Sequence, residues 1–227
     1  MSIVAQTTLA HDVSYNGIGL HAANEVHMVL RPAPADTGIV FIRTDLPGRP
    51  SVQAHLTNVT NTMRATTLEN GEAKVFTVEH LLSALSGMEV DNCFVEMDSV
   101  EPPVADGSSL TFVKLIEEAG IRDLDAPRRL LAVQKQHLVQ EDDKFIAIVP
   151  YDGFRITFTS INPHPMLGVP VPGHDDYQGI VCPRHFLCPH HRLYGRIGNA
   201  QEIRLGKGAP SKTSSSTIRV VPVRSPL

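Results

Sequence analysis

Two adjacent side chains, Glu79 and His80 in the run Phe76-Thr77-Val78-Glu79-His80-Leu81-Leu82-Ser83-Ala84-Leu85, are of the types that metal-assisted hydrolysis needs. A neutral imidazole can ligate zinc, and a carboxylate beside the metal can take a proton from its bound water. Val78, Leu81, Leu82, Leu85 and Met88 recur at helical spacing, so residues 77 to 88 are predicted to be helical, with Thr77 as N-cap. Glu79 and His80 then fall in the first turn, about 100° apart around the axis, at the mouth of the helix and able to face one cavity. A plainer account exists too, because a carboxylate in a first turn also answers the helix dipole. One histidine cannot make a catalytic zinc site, which takes three protein ligands and keeps one position open.

The other candidates carry less chemistry. Asp106 lies in Pro102-Pro103-Val104-Ala105-Asp106-Gly107-Ser108-Ser109, a turn leading into a helix, where it could cap, orient a neighbour or act electrostatically. Lys144, in the acidic turn Glu141-Asp142-Asp143-Lys144, reads as a solvated surface lysine. Gly17-Ile18-Gly19-Leu20-His21 is too short for a phosphate loop and leads into a strand, so it is read as a turn. Cys93 reads as a small buried hydrophobe. Cys182-Pro183-Arg184-His185-Phe186-Leu187-Cys188-Pro189-His190-His191 suggests a metal knuckle, but its spacing matches no common zinc pattern.

The elements that must position these residues read as α+β. Val26 to Leu30, Gly38 to Ile42 and Asn92 to Met97 have strand character, and a second helix is predicted over Leu110 to Ala119. The economical architecture for residues 1–126 is a sheet with two helices on one face. A second unit of the same kind is expected to start at residue 127, with strands at Leu130-Leu131-Ala132-Val133 and Phe145 to Val149, and to run only to residue 167. Residues 168–227 hold seven Pro, seven Gly and eight Lys+Arg against three Asp+Glu, and are expected to be irregular. With 227 residues the chain can bury a sizeable core, while a net charge of −4 offers no basic field for nucleic acid. The start lacks a signal-peptide pattern and no stretch approaches roughly 18 uninterrupted apolar residues, so a cytoplasmic protein is expected. Three cysteines fit a reducing compartment. No oligomeric state is predicted.

Ile18-Gly19-Leu20-His21, Leu30-Arg31-Pro32-Ala33-Pro34, Arg43-Thr44-Asp45, Asn61-Thr62-Met63, Thr77-Val78-Glu79-His80-Leu81, Asp91-Asn92 and Ala105-Asp106-Gly107-Ser108 together resemble the ordered motifs of the zinc-dependent UDP-3-O-acyl-N-acetylglucosamine deacetylases of bacterial lipid A synthesis. The resemblance runs from Gln6 to His164-Pro165, where Phe158-Thr159 and His164-Pro165 are similar to a strand and a His-Pro turn early in that family's second domain. It implies Zn2+ as cofactor and a UDP-acyl-GlcNAc nucleotide sugar as substrate, whose N-acetyl group leaves as acetate. By motif, Glu79 matches the general base and His80 the first zinc ligand. Asp106 matches an aspartate that supports the site, Lys144 a lysine near the substrate, and Met63 a residue on a loop flanking the pocket.

The family pattern continues with Ala-Arg-Thr-Phe, then His-Lys-x-x-Asp carrying the other two zinc ligands, then Gly-His carrying a catalytic histidine. That ordered series has no counterpart after Pro165. A switch to a basic, Pro-rich tail is what a wrong reading frame produces, so a truncated or frame-disrupted second domain is expected. Three expectations follow: a zinc amidohydrolase with incomplete machinery, a catalytically inactive binding module of the same family, or a metal module in the tail.

Overall fold

The computed structural model describes residues 4–142, 144–151, 154–161 and 215–222. The chain divides into two compact units, Met1–Arg128 and Arg129–Leu227. Both are built of strands, and the first adds two helices, so the described chain is α+β.

In the first unit the order is β1 (Ala5–Leu9), β2 (Val13–Ile18), β3 (Glu25–Pro32), β4 (Ile39–Arg43), β5 (Ser51–Gln53), β6 (Val59–Asn61), β7 (Thr67–Asn70), β8 (Ala73–Phe76), α1 (Glu79–Gly87), β9 (Cys93–Met97), α2 (Leu110–Ala119) and β10 (Ile121–Pro127). The main sheet runs β2-β3-β9-β4-β5, antiparallel except for the parallel pair β4 and β9. Val26, Met28 and Leu30 alternate along β3, and Cys93, Val95 and Met97 along β9, so each strand gives one face to the core. The register sets Met28 opposite Met97 and Leu30 opposite Val95, and Phe41 of β4 joins the same row. Leu81, Ala84 and Leu85 of α1 and Phe112, Leu115, Ile116 and Ala119 of α2 belong to the same buried cluster. Each large aliphatic or aromatic side chain so buried contributes about 1.5–3 kcal/mol. The intervening positions of β3 and β9 are mixed, Val29 and Phe94 among charged residues; there Glu96 pairs with Arg31 at 3.1 Å and with Arg49, from the loop after β4, at 2.7 Å.

Two smaller sheets complete the unit. Strands β6, β7 and β8 form an antiparallel meander leading directly into α1. After α2, Gly120 takes φ +66°, where a Cβ would be strained, and turns the chain back so that β10 pairs with β1. Arg128 closes the unit, donating to Val4 O at 2.8 Å through its amide and to Asp91 through its guanidinium.

The end of β4 is tied to β8 by Arg43, which is buried and donates to Lys74 O at 2.8 Å and, bidentately, to Asp45 at 2.8 and 2.6 Å. The Arg43 hydrogen bonds hold the Asp45 carboxyl below its ordinary range. A carboxylate with a depressed folded pKa stabilises above its unfolded pKa and loses that contribution as pH falls through the folded value. Asp45→Asn is therefore expected to cost about 1 kcal/mol at pH 7, below the range for buried bonds to charged groups and at the top of that for solvated ion pairs, because the carboxylate is partly solvated. Urea unfolding of both proteins should show this difference shrinking as pH is lowered below about 4, the ordinary carboxylate range.

The second unit holds β11 (His137–Glu141), β12 (Lys144–Ile148), β13 (Phe154–Ile161) and β14 (Ser215–Pro222), in the order β11-β12-β14-β13. It departs from the sequence expectations in two places. Leu130-Leu131-Ala132-Val133 is not a strand; Leu130 and Leu131 are 66 % and 85 % exposed, and no described strand offers them a ladder. Ser215–Pro222, inside the stretch marked as irregular by its composition, is strand β14, parallel to β12 and antiparallel to β13. Its β-branched Ile218, Val220 and Val221 suit a pleated strand, a local preference that the Ser-rich tract before them obscures. The Cys182 to His191 run and His164-Pro165 lie outside the described residues. Among the described residues, no helix is long and apolar enough to cross a membrane.

Candidate active site

The head of α1 is built differently from its sequence expectation. The helix begins at Glu79, and Val78 is the N-cap residue, with φ −84° and ψ −11° and no side-chain cap; Leu82 N donates to Val78 O at 2.9 Å to close the first turn. Thr77 does not cap. It sits in the left-handed region at φ +57°, a conformation that costs a β-branched residue about 1–3 kcal/mol, and its hydroxyl donates instead to Glu101 Oε2 at 3.0 Å. Thr77 stands one residue before the N-cap and at positive φ, neither the position nor the extended conformation from which a hydroxyl caps a helix.

Glu79 and His80 are both half-buried in the first turn of α1. Glu79 Oε2 accepts from Thr66 N at 3.1 Å, which ties this carboxylate to the loop between β6 and β7. Among the described residues no hydrogen bond or ion pair engages the His80 ring, so neither nitrogen is committed to a protein partner. Met63 lies on that same loop, three residues before Thr66, and is 83 % exposed.

Asp106 is exposed and makes a local turn, accepting from Ser108 N at 3.0 Å and Ser108 Oγ at 2.8 Å; Ser108 Oγ in turn accepts from Leu110 N at the start of α2. No bond links it to Glu79 or His80. Lys144 belongs to the second unit, exposed in the hairpin where it pairs in register with Glu141. The structure thus brings Glu79, His80 and the Met63 loop together, while Asp106 is engaged in its own turn. No three His, Cys, Asp or Glu side chains among the described residues cluster to hold a metal.

Sequence reasoning passed over Glu101, which has no exposed surface. Its Oε1 accepts from His21 N and Ala22 N, both at 2.7 Å, and its Oε2 from Thr77. The signal was present as a lone charge inside Ser99-Val100-Glu101-Pro102-Pro103-Val104, since a glutamate is almost never fully buried without partners. Cys93, in contrast, is buried as its apolar setting predicts, and burial pushes its thiol up to about 12. At pH 8 only about one thiol in 10⁴ would ionise, so iodoacetamide should leave Cys93 unmodified in the folded protein and alkylate it in urea, as read by peptide mass spectrometry.

The structure thus sets a half-buried carboxylate beside an imidazole at the head of a helix on an α+β scaffold, two side chains of types that hydrolysis uses. The family model for the UDP-3-O-acyl N-acetylglycosamine deacetylase, LpxC, matches residues 6–176, and the chain belongs to that family. Curated relatives agree. The UDP-3-O-acyl-N-acetylglucosamine deacetylase of Hahella chejuensis is 43% identical over 165 residues, covering 73% of this chain and 55% of the relative. Those of Pseudomonas entomophila (42% over 165 residues; 73% and 54%) and Thioalkalivibrio sulfidiphilus (43% over 164 residues; 72% and 54%) are similar. The chain spans about half the length of the curated relatives it matches.

Proposed function

We propose that this chain acts in lipid A biosynthesis as a deacetylase of UDP-3-O-(3-hydroxyacyl)-N-acetylglucosamine, with Glu79 as general base and His80 as a zinc ligand. The observation that carries the reading is the Glu79–His80 pair, at the head of α1 in a family match extending over residues 6–176. Thr66 N fixes one carboxylate oxygen of Glu79 and leaves the other to take a proton from an attacking water, which is the geometry a positioned base needs. Met63, 83 % exposed on the loop whose Thr66 holds Glu79, is assigned in this reading to the flank of the substrate pocket.

Zinc fits this site only in part. His80 offers one donor, and the described residues do not complete the three-ligand set that catalysis requires. The test is zinc content: if residues beyond the described ones complete the ligand set, the purified chain dialysed against zinc retains about one equivalent and His80→Ala loses it with its fold unchanged, whereas a wild-type chain that retains none removes zinc chemistry from this site. Retention of zinc by His80→Ala would remove His80 from the ligand set.

A second reading, a non-catalytic module that binds a nucleotide sugar, is favoured by the lack of the family's ordered Ala-Arg-Thr-Phe, His-Lys-x-x-Asp and Gly-His series after Pro165. It predicts a folded protein that binds UDP-GlcNAc by calorimetry and holds no zinc.

A further inference from the structure

We propose that Glu101 is the positioning residue of this site: its buried carboxylate holds Thr77 in the left-handed turn that launches α1, ties that turn to the His21–Ala22 backbone, and thereby sets the direction in which Glu79 and His80 leave the helix. The consequence for turnover rests on the deacetylase reading; the clamp itself rests on geometry alone.

A carboxylate stripped of water is held only by donors that replace its hydration, and among the described residues no cation pairs with Glu101. Its three donors come from two separate segments, residues 21–22 and residue 77. Glu101 is itself fixed between the same two neighbours, because Phe76 N donates to Val100 O at 3.0 Å and Val104 N to Ile18 O at 2.9 Å. The residue 18–22 loop passes so close that a Cβ on Gly19 would lie 2.7 Å from Glu101 Cγ, which reserves that position for glycine. Thr77, β-branched at φ +57°, persists in this conformation only while its surroundings hold it, and its hydroxyl has Glu101 as partner. Glu79 follows two residues later, so a change of φ at Thr77 swings the whole head of α1. Glu101 touches neither of the two reactive side chains and acts through Thr77.

The experiment compares the full chain with Glu101→Gln, Glu101→Ala, Thr77→Val and the double variant Glu101→Ala/Thr77→Gly, by amide hydrogen exchange and by acetate release. Glu101→Ala should speed exchange together at His21, Ala22 and Leu82 by about tenfold or more, while β3 and β9 keep their protection. Glu101→Gln should do much less, since its carbonyl oxygen still accepts from both amides. A glycine in place of Thr77 adopts positive φ without a clamp, so the double variant should recover protection at Leu82 and not at His21 or Ala22. Turnover should follow Leu82: kcat falls about tenfold in Glu101→Ala with KM within about twofold, and recovers in the double variant.

The proposal is overturned if Glu101→Ala leaves Leu82 unchanged, or if exchange rises throughout the unit and Thr77→Gly rescues nothing, the mark of a merely structural carboxylate. Should Glu101→Ala fail to fold, Thr77→Val decides, because it deletes one hydroxyl and leaves Glu101 its two amides. Faster exchange at Leu82 alone supports the clamp, and unchanged exchange there refutes it. If the coupled exchange appears but the wild-type chain releases no acetate, the clamp stands and the deacetylase reading falls.

Discussion

Glu79→Gln is expected to lower kcat for acetate release by about 10²–10⁴, the range that a positioned general base supplies. The substitution is nearly isosteric, and the amide oxygen of glutamine still accepts from Thr66 N, so the loop between β6 and β7 should stay where it is. What disappears is basicity. KM and zinc content should change little, since neither depends on the proton that Glu79 takes. A parallel fall in zinc content would mean instead that Glu79 supports the metal, and an unchanged kcat would mean that the base lies elsewhere.

Leu81→Ala is expected to cost about 2–5 kcal/mol of unfolding free energy, the largest stability effect among these substitutions. Leu81 is fully buried, one residue beyond His80, in the cluster where α1 and α2 meet the main sheet. The cavity left by truncation cannot collapse easily, because Leu81 belongs to one close-packed cluster whose strand members, Met28, Val95 and Met97 among them, are fixed by register. The same leucine fixes which way the first turn faces, so activity should fall with stability even though Leu81 contacts no substrate. Urea denaturation gives the first quantity directly, and a loss below about 1 kcal/mol would contradict the core as described.

Much of this framework was legible because its signals are local and periodic. Leu110–Ala119 was predicted as a helix and is one, since Phe112, Leu115, Ile116 and Ala119 mark a single stripe. β3 was legible for the same reason over Val26 to Leu30, although the strand runs on through Arg31 to Pro32, which pairs with Cys93. The Thr77 cap failed because the helix starts one residue later than expected, with Val78 at the cap and Thr77 in a left-handed turn that brings its hydroxyl to a carboxylate 24 residues away. Nothing local in the sequence records that turn. Leu130-Leu131-Ala132-Val133 failed for the complementary reason: a strand is a pair, and apolar run length carries no information about a partner. Glu79 and His80 could be picked out by chemical type, but their relation to Thr66 and Glu101 depends on loops brought together only by the fold.

The most direct test is acetate release from UDP-3-O-(3-hydroxyacyl)-N-acetylglucosamine by the zinc-supplemented full chain, followed beside Glu79→Gln at the same protein concentration. Catalytic acetate release by the wild-type chain, suppressed in Glu79→Gln, is the predicted result. A folded wild-type chain releasing no more acetate than Glu79→Gln would contradict the assignment of Glu79 as base and leave the nucleotide-sugar-binding module as the reading to pursue.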